Sequence, residues 1–398
     1  MESEVAQDRL TLVDSLKMDA HRLGSALDEH ILRHYAPDTS KALRSFSSTE
    51  VAALLGVTPA HLRNLRSEGR IPNVGREDSR RSVHYSAAEI DTIREVLQRR
   101  SRSPRKFLKR RGDNDKLQVI SVSSFKGGSG KSTCCAHLAM RSALAGYRVL
   151  MVDLDPQASL SHMMGVNADI ALQERNTIYD ALRFDDPIPM RDVVRETYFH
   201  NISLAPSGLI LSEFEQYAAL HARAPTGGTP WYLRLSDAIN DVSDDFDLVF
   251  ADCPPSLGFL TLSAMVAASA LIVPIVPNML DAKSAEHFLK MSVALMDVLT
   301  EFGVRFDYDF YRYVLTRYEP HDAPQAQLAA FLRVQLGQSL MTSEFVKSTV
   351  VSDAGMTNQT LYEIVRSDVT RSAYDRARES FDAVWSELNV CIEAAWGR

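Results

Sequence analysis

The sequence predicts an α/β protein built on a doubly wound, mostly parallel sheet. An N-terminal helical arm and a winged helix-turn-helix are expected ahead of it. Three observations carry this. From residue 116 onward, apolar strand-like runs alternate with helical stretches. A glycine-rich turn joins the first such strand to the first such helix. Near residue 56, two capped helices flank a glycine.

The glycine-rich turn organises the rest. Residues 121–133 read S-V-S-S-F-K-G-G-S-G-K-S-T, after the apolar Leu117, Val119, Ile120 and Val122. A helical stretch, residues 134–145, follows and stops at Gly146. Strand, glycine turn and helix form the setting of a phosphate-binding loop, which places the chain among P-loop nucleotide hydrolases. Gly127, Gly128 and Gly130 let the backbone curl so that several N–H groups, Ser129 included, face one anion. Lys131 is placed to reach the outer phosphates, Ser132 to ligate Mg²⁺, and Thr133 to continue the helix start.

The usual pattern G-x-x-x-x-G-K-[ST] is not met, because Phe125 stands where the first glycine belongs. An extra lysine, Lys126, opens the loop instead. K-G-G-S-G-K-S-T resembles the deviant Walker A box of the ParA/MinD family of dimeric ATPases. The resemblance implies a homodimer in which Lys126 contacts the nucleotide held by the other subunit.

At 398 residues the chain suggests two or three domains. The divisions expected are a helical arm at 1–40, a DNA-binding domain at 41–98, a basic linker at 99–115 and the ATPase at 116–398. A net charge of −7 excludes a global nucleic-acid footprint, so any DNA contact comes from local patches. The four cysteines, Cys134, Cys135, Cys253 and Cys391, show no metal or disulfide spacing. No apolar run approaches ~20 residues and the N-terminus is acidic, so a cytoplasmic protein without a membrane partner is expected.

In chain order, Leu10, Val13, Leu16, Leu23 and Leu27 give the arm a helical period that suits domain packing and dimerisation alike. Ser47 and Glu50 form a capping box, and Gly56 ends the first short helix. Thr58 and Pro59 open the second, which presents His61, Arg63, Asn64 and Arg66 while Leu62 and Leu65 face inward. That helix is expected in the major groove, where such side chains read base edges and phosphates. Arg70, Arg76, Arg80 and Arg81 populate a stretch resembling the wing of MerR-like winged helices. Residues 99–111 contain no acidic residue and read as a solvated linker with a second role in phosphate contact.

Two further motifs complete the nucleotide site. D-L-D-P-Q-A-S, from Asp153, resembles the family's switch I, which implies that Asp155 orients the attacking water and supports the metal. D-C-P-P-S-L-G, from Asp252, ends an apolar strand as a Walker B aspartate does and would hold Mg²⁺. By the same resemblance the adenine lies near Pro277-Asn278 and Thr316-Arg317. The segment F-V-K-S-T-V-V-S-D-A-G-M-T departs from the family. Val350 stands where relatives carry a DNA-binding arginine, leaving Lys347, Arg366, Arg371, Arg376 and Arg378 as substitutes. The last helix carries Tyr374, Phe381, Trp385 and Leu388 on one stripe, which suits a core better than a membrane anchor.

The resemblance therefore implies a DNA-partitioning ATPase that uses ATP and Mg²⁺, binds operator and non-specific DNA, and responds to a ParB-like centromere-binding partner. Two alternatives share some of these features: a repressor with a merely regulatory ATPase, and a MinD-like division regulator.

Overall fold

Three neighbouring strands of one parallel sheet carry the three motifs. The computed structural model describes residues 12–34, 41–72, 74–77, 82–103, 105–124, 126–166, 176–223 and 228–398. It divides into two units, Met1–Lys41 and Ala42–Arg398. The first contributes one helix, α1 (Leu12–His34), and the rest of the expected arm lies outside the described residues.

The second unit begins with β1 (Phe46–Ser47), α2 (Ser48–Leu55) and α3 (Pro59–Ser67). Strands β2 (Arg76–Glu77) and β3 (Val83–Tyr85) and helix α4 (Ala87–Arg100) follow. Both capping boxes form, Ser47 with Glu50 and Ser86 with Glu89. Gly56 leaves α2 at φ 65°, a left-handed turn that a glycine adopts without strain. The three short strands make a small antiparallel sheet in the order β1-β3-β2.

The sheet proper starts at β4 (Gln118–Val122) and α5 (Lys131–Leu144), then β5 (Val149–Asp153) and α6 (Ser159–Met163). After short helices α7 (Ile178–Leu182) and α8 (Met190–Val193) come β6 (Arg195–Glu196), β7 (Ile202–Ala205), α9 (Ser212–Arg223) and α10 (Arg234–Asp241). The remainder alternates β8 (Leu248–Asp252), α11 (Phe259–Ala267), β9 (Ala270–Ile275), α12 (Met279–Glu301) and β10 (Phe310–Leu315). Helices α13 (Ala323–Leu336), α14 (Thr349–Met356) and α15 (Arg371–Ala395) close the chain.

The strand order is β10-β9-β4-β8-β5-β7-β6, parallel throughout except for β6 against β7. Strands buried on both faces read as continuous apolar runs, as V-L-M-V in β5 and L-V-F-A in β8 do. Helices α5 and α15 cover one face and α9 to α11 the other. The stripe on α15 is core, with Tyr374, Phe381, Trp385 and Leu388 buried. No described helix is long and apolar enough to cross a membrane.

The small N-terminal sheet and helices share one apolar cluster with the main sheet and its helices, running from Phe46, Leu62 and Ile93 to Leu138 and Tyr147. Arg94 pins the two parts together. Its guanidinium, 3% exposed, donates to the carbonyls of Leu54, Leu144 and Phe107 at 2.8, 2.7 and 3.0 Å. These belong to the end of α2, the end of α5 and the connecting segment. Burial lowers its pKa only to about 10, so it remains charged at neutral pH.

The basic stretch is bound down along much of its length. Lys109 pairs with Glu393 at 2.7 Å, Arg110 with Asp91 at 2.7 Å, and Arg105 with Asp115 at 3.1 Å. Replacing Arg94 with alanine removes the donor of three carbonyls, of which the Leu144 bond is fully buried. Arg94→Ala is expected to lower the unfolding free energy by about 3 kcal/mol. Urea unfolding checks this, and an unshifted midpoint would remove Arg94 as the pin.

Candidate functional site: a phosphate-binding loop flanked by two buried aspartates

Parallel register does the positioning. Asp252 is the partner of Val122 on one side and of Asp153 on the other. The loop after β4, the switch after β5 and the carboxylate ending β8 therefore emerge side by side at the strands' C-terminal edge, where α/β sheets bind ligands.

The loop runs from Lys126 to the start of α5. Gly128 at φ 80° and Gly130 at φ 85° supply the left-handed residues that its curl requires. Two side-chain bonds brace it: the Thr316 hydroxyl donates to the Ser129 carbonyl at 2.8 Å, and Ser124 and Ser129 share a hydrogen bond of 2.6 Å. Arg317, itself left-handed at φ 51°, donates to the Gly128 carbonyl at 3.2 Å. Lys131 is buried, and its Nζ donates to the Lys126 carbonyl at 3.2 Å. Burial lowers its pKa, while Asp252, Cys253 and Asp155 oppose the shift.

The two strand-end aspartates have opposite circumstances. Asp153 is fully engaged, accepting from the Ser161 amide at 2.8 Å, the Ser161 hydroxyl at 2.7 Å and the Asp155 amide at 3.1 Å. It shapes the switch. Asp252 is equally buried, yet neither carboxylate oxygen completes a hydrogen bond, although Ser132 lies close enough to ease its charge. Burial raises the Asp153 pKa to about 7 and drives that of Asp252 well above the carboxylate range. A buried carboxylate lacking a donor and facing a serine hydroxyl at a phosphate loop fits a divalent cation. Asp155, two residues beyond Asp153, has Oδ1 accepting from the Gln157 amide at 2.9 Å.

After Asp252 the chain re-enters a helix at α11, whose Phe259 and Leu260 amides donate to Glu215 at 2.9 and 3.0 Å. A Cβ on Gly258 would come within 2.5 Å of that carboxylate, so a side chain there would push Glu215 off the cap. The sequence pattern carried no sign of this cap.

Two cavities flank the loop. The larger, about 360 Å³, is lined by Gly130, Thr133, Thr316, Arg317, Phe345 and Ser348 among others, and Ser348 Oγ is buried there without a partner. The smaller, about 270 Å³, is lined by Lys126, Gly127, Asn278, Asp281, Arg317 and Lys347 among others. Asn278 caps α12, accepting from the Asp281 amide at 2.9 Å, and thus sits beside Lys126 rather than in the larger cavity. Pro277 is buried and lines neither.

The residues expected to meet DNA lie elsewhere. His61, Arg63 and Asn64 are exposed on α3, Arg66 is half-buried there, and Arg76 is exposed on β2. Arg80 and Arg81 lie outside the described residues. Val350 is buried in the core. Of its suggested substitutes, Lys347 pairs with Glu319, Arg366 with Asp375 and Arg378 with Asp382.

Comparison with known proteins decides the family. The AAA domain family matches residues 117–300. A protein named "Putative replication protein A" from Rhizobium rhizogenes is 42% identical over 386 residues, 96% of this chain and 95% of that protein. Protein SopA of Escherichia coli K12 is 30% identical over 300 residues, 73% of each chain. The chain belongs to the ParA/MinD family of deviant Walker A ATPases, in its large ParA type. Solved structures agree on the fold. A partition protein superimposes with a TM-score of 0.65 at 17% identity, over 95% of this chain and 98% of its own. Cobyrinic acid a,c-diamide synthase from Mycobacterium smegmatis, with bound ADP and magnesium, gives 0.51 at 23% identity, over 61% and 91%.

The raised carboxylate pKa values predict a stability signature. Protonated aspartates favour the fold, so that contribution is complete below the ordinary carboxylate range near 4 and is lost as pH rises through about 7. Without metal or nucleotide, Asp252→Asn should melt at least about 3 °C above the native protein at alkaline pH, with the gap closing as pH falls towards the ordinary carboxylate range. Thermal melts across that range check it, and a variant that melts lower at alkaline pH contradicts it.

Proposed function

We propose that this protein is an ATP-dependent partitioning ATPase that segregates a plasmid, working in the cytoplasm at the nucleoid. The observation that carries the reading is the junction of loop, switch I aspartate and unsatisfied Asp252 on three adjacent strand ends, with Lys126 opening the loop. The extent of similarity to replication protein A and SopA supports the partitioning role.

The residues divide the work by chemistry. The amides of residues 127–133 cradle the phosphates at the start of α5, where the helix dipole favours anions. Lys131 neutralises the outer phosphates. Ser132 and Asp252, together with Asp155, would hold Mg²⁺, which when bound would supply charge stabilisation to the transferred phosphoryl group. Asp155, with one oxygen engaged by Gln157 and the other unbonded, positions the attacking water. The base occupies the larger cavity, between Thr316-Arg317 and residues 345–348. Lys126 reaches the nucleotide of a second copy, so hydrolysis and dimerisation depend on each other.

Helix α3 and the β2–β3 hairpin form a winged helix-turn-helix that binds the protein's own operator and represses it. The ATP-bound dimer also binds DNA without sequence preference, through basic side chains of the ATPase part such as Arg371 and Arg376. A ParB-like centromere-binding partner stimulates the slow hydrolysis and releases the dimer.

Two experiments test these roles. Asp155→Ala should bind ATP and dimerise but hydrolyse it at least ~10²-fold more slowly. Normal turnover in that variant would refute the water-positioning role. Arg63→Ala should weaken operator binding by about 1–3 kcal/mol while sparing ATP-dependent binding to random duplex at the same salt. Equal losses on both DNAs would make α3 a mere phosphate-contacting surface.

A further inference from the structure

The loop lysine is paired within its own chain. Lys126 Nζ donates to Asp281 Oδ2 at 2.8 Å, across a separation of 155 residues. The two ends are unequal: the Asp281 side chain is 6% exposed and that of Lys126 is 44% exposed. Asp281 is the third residue of α12, and the Asn278 cap on its amide fixes the helix start. The carboxylate is thereby held towards the phosphate loop. The same Lys126 accepts the Lys131 ammonium on its carbonyl, so the two lysines of the loop are held by one arrangement. Met279 and Leu280, 72% and 79% exposed, stand beside the pair as an apolar step.

We infer that Asp281 is a positioning residue that latches Lys126 in cis, and that the latch must open before two chains close around nucleotide. The inference rests on the reading of Lys126 as a ligand of the partner's nucleotide. A lysine cannot hold its own α12 and also reach another chain's phosphates. When it leaves, a nearly buried carboxylate loses the only cation that the described residues bring within ion-pair distance. Each dimer opens two latches, so a modest pair has a doubled effect on assembly. Asp281 thus sets the protein and ATP concentrations at which the dimer appears, and it keeps the ATP-free chain apart.

The test titrates full-length protein with ATP and Mg²⁺ and follows dimer mass by light scattering. It compares the native protein with Asp281→Asn, Asp281→Glu and Lys126→Ala. Asp281→Asn keeps the side-chain shape and removes the charge, and should reach half-dimer at about fivefold lower protein concentration. Its ATP affinity, measured on dilute monomer, should be unchanged, a split that a damaged fold would not give. Asp281→Glu restores the charge and should return dimerisation towards the native value. Raising salt should narrow the gap between Asn and native proteins, because the latch is partly exposed and screened. An Asp281→Asn variant that dimerises no more readily, or that loses monomer ATP affinity, overturns the inference. If Lys126→Ala dimerises as the native protein does, the in-trans reading itself falls and takes the latch with it. If Lys126→Ala stays monomeric while Asp281→Asn is unmoved, only the latch falls.

Discussion

The structure turns on a carboxylate that the protein leaves without a donor. Asp252 ends a strand buried on both faces, with Asp153 directly beside it in register. Burial disfavours the charged form of both and raises their pKa values, and the Asp153 charge adds to the penalty at Asp252. The chain relieves one with Ser161 and the Asp155 amide and leaves the other for a cation. Stability given up at Asp252 is what allows Mg²⁺ and nucleotide to bind the folded chain strongly. The parallel register of β4, β8 and β5 is what brings the three loops to that point.

The same economy of charge decides which cations this acidic protein presents at its surface. Much of the basic stretch ahead of the sheet is spent on internal partners such as Glu393 and Asp91, and Lys347, Arg366 and Arg378 are likewise paired. Arg63 on α3 and Arg76 on β2 are exposed. Arg94 and a common apolar cluster fasten that part to the far end of α5, whose near end is the phosphate loop. Helix α3 and the phosphate loop are therefore carried on one packed body rather than on a tethered pair.

Much of this was legible in the sequence because it is local. The loop, the two aspartate motifs and both capping boxes are short patterns whose chemistry depends on neighbours in the chain, and the alternation of strands and helices follows from burial on two faces. The long-range contacts were not legible. Nothing near Lys126 announces Asp281, and nothing near residues 128–129 announces the brace from Thr316 and Arg317. The basic run reads as solvated because its partners lie far away, Glu393 being 284 residues from Lys109. Asn278, expected beside the base, caps α12 through its N-x-x-D spacing and lines the smaller cavity, while residues 345–348 help to wall the larger one, which no local pattern announced. Position 350 reads as a lost arginine in sequence and is an ordinary core valine in the fold.

The central claim is that nucleotide is the switch for assembly. Sedimentation velocity of the full-length protein at one fixed concentration, with ATP and Mg²⁺, with ADP and Mg²⁺, and with neither, addresses it most directly. The account predicts a dimer with ATP and Mg²⁺ and a smaller, shared sedimentation coefficient in the other two conditions. The same coefficient in all three would contradict it.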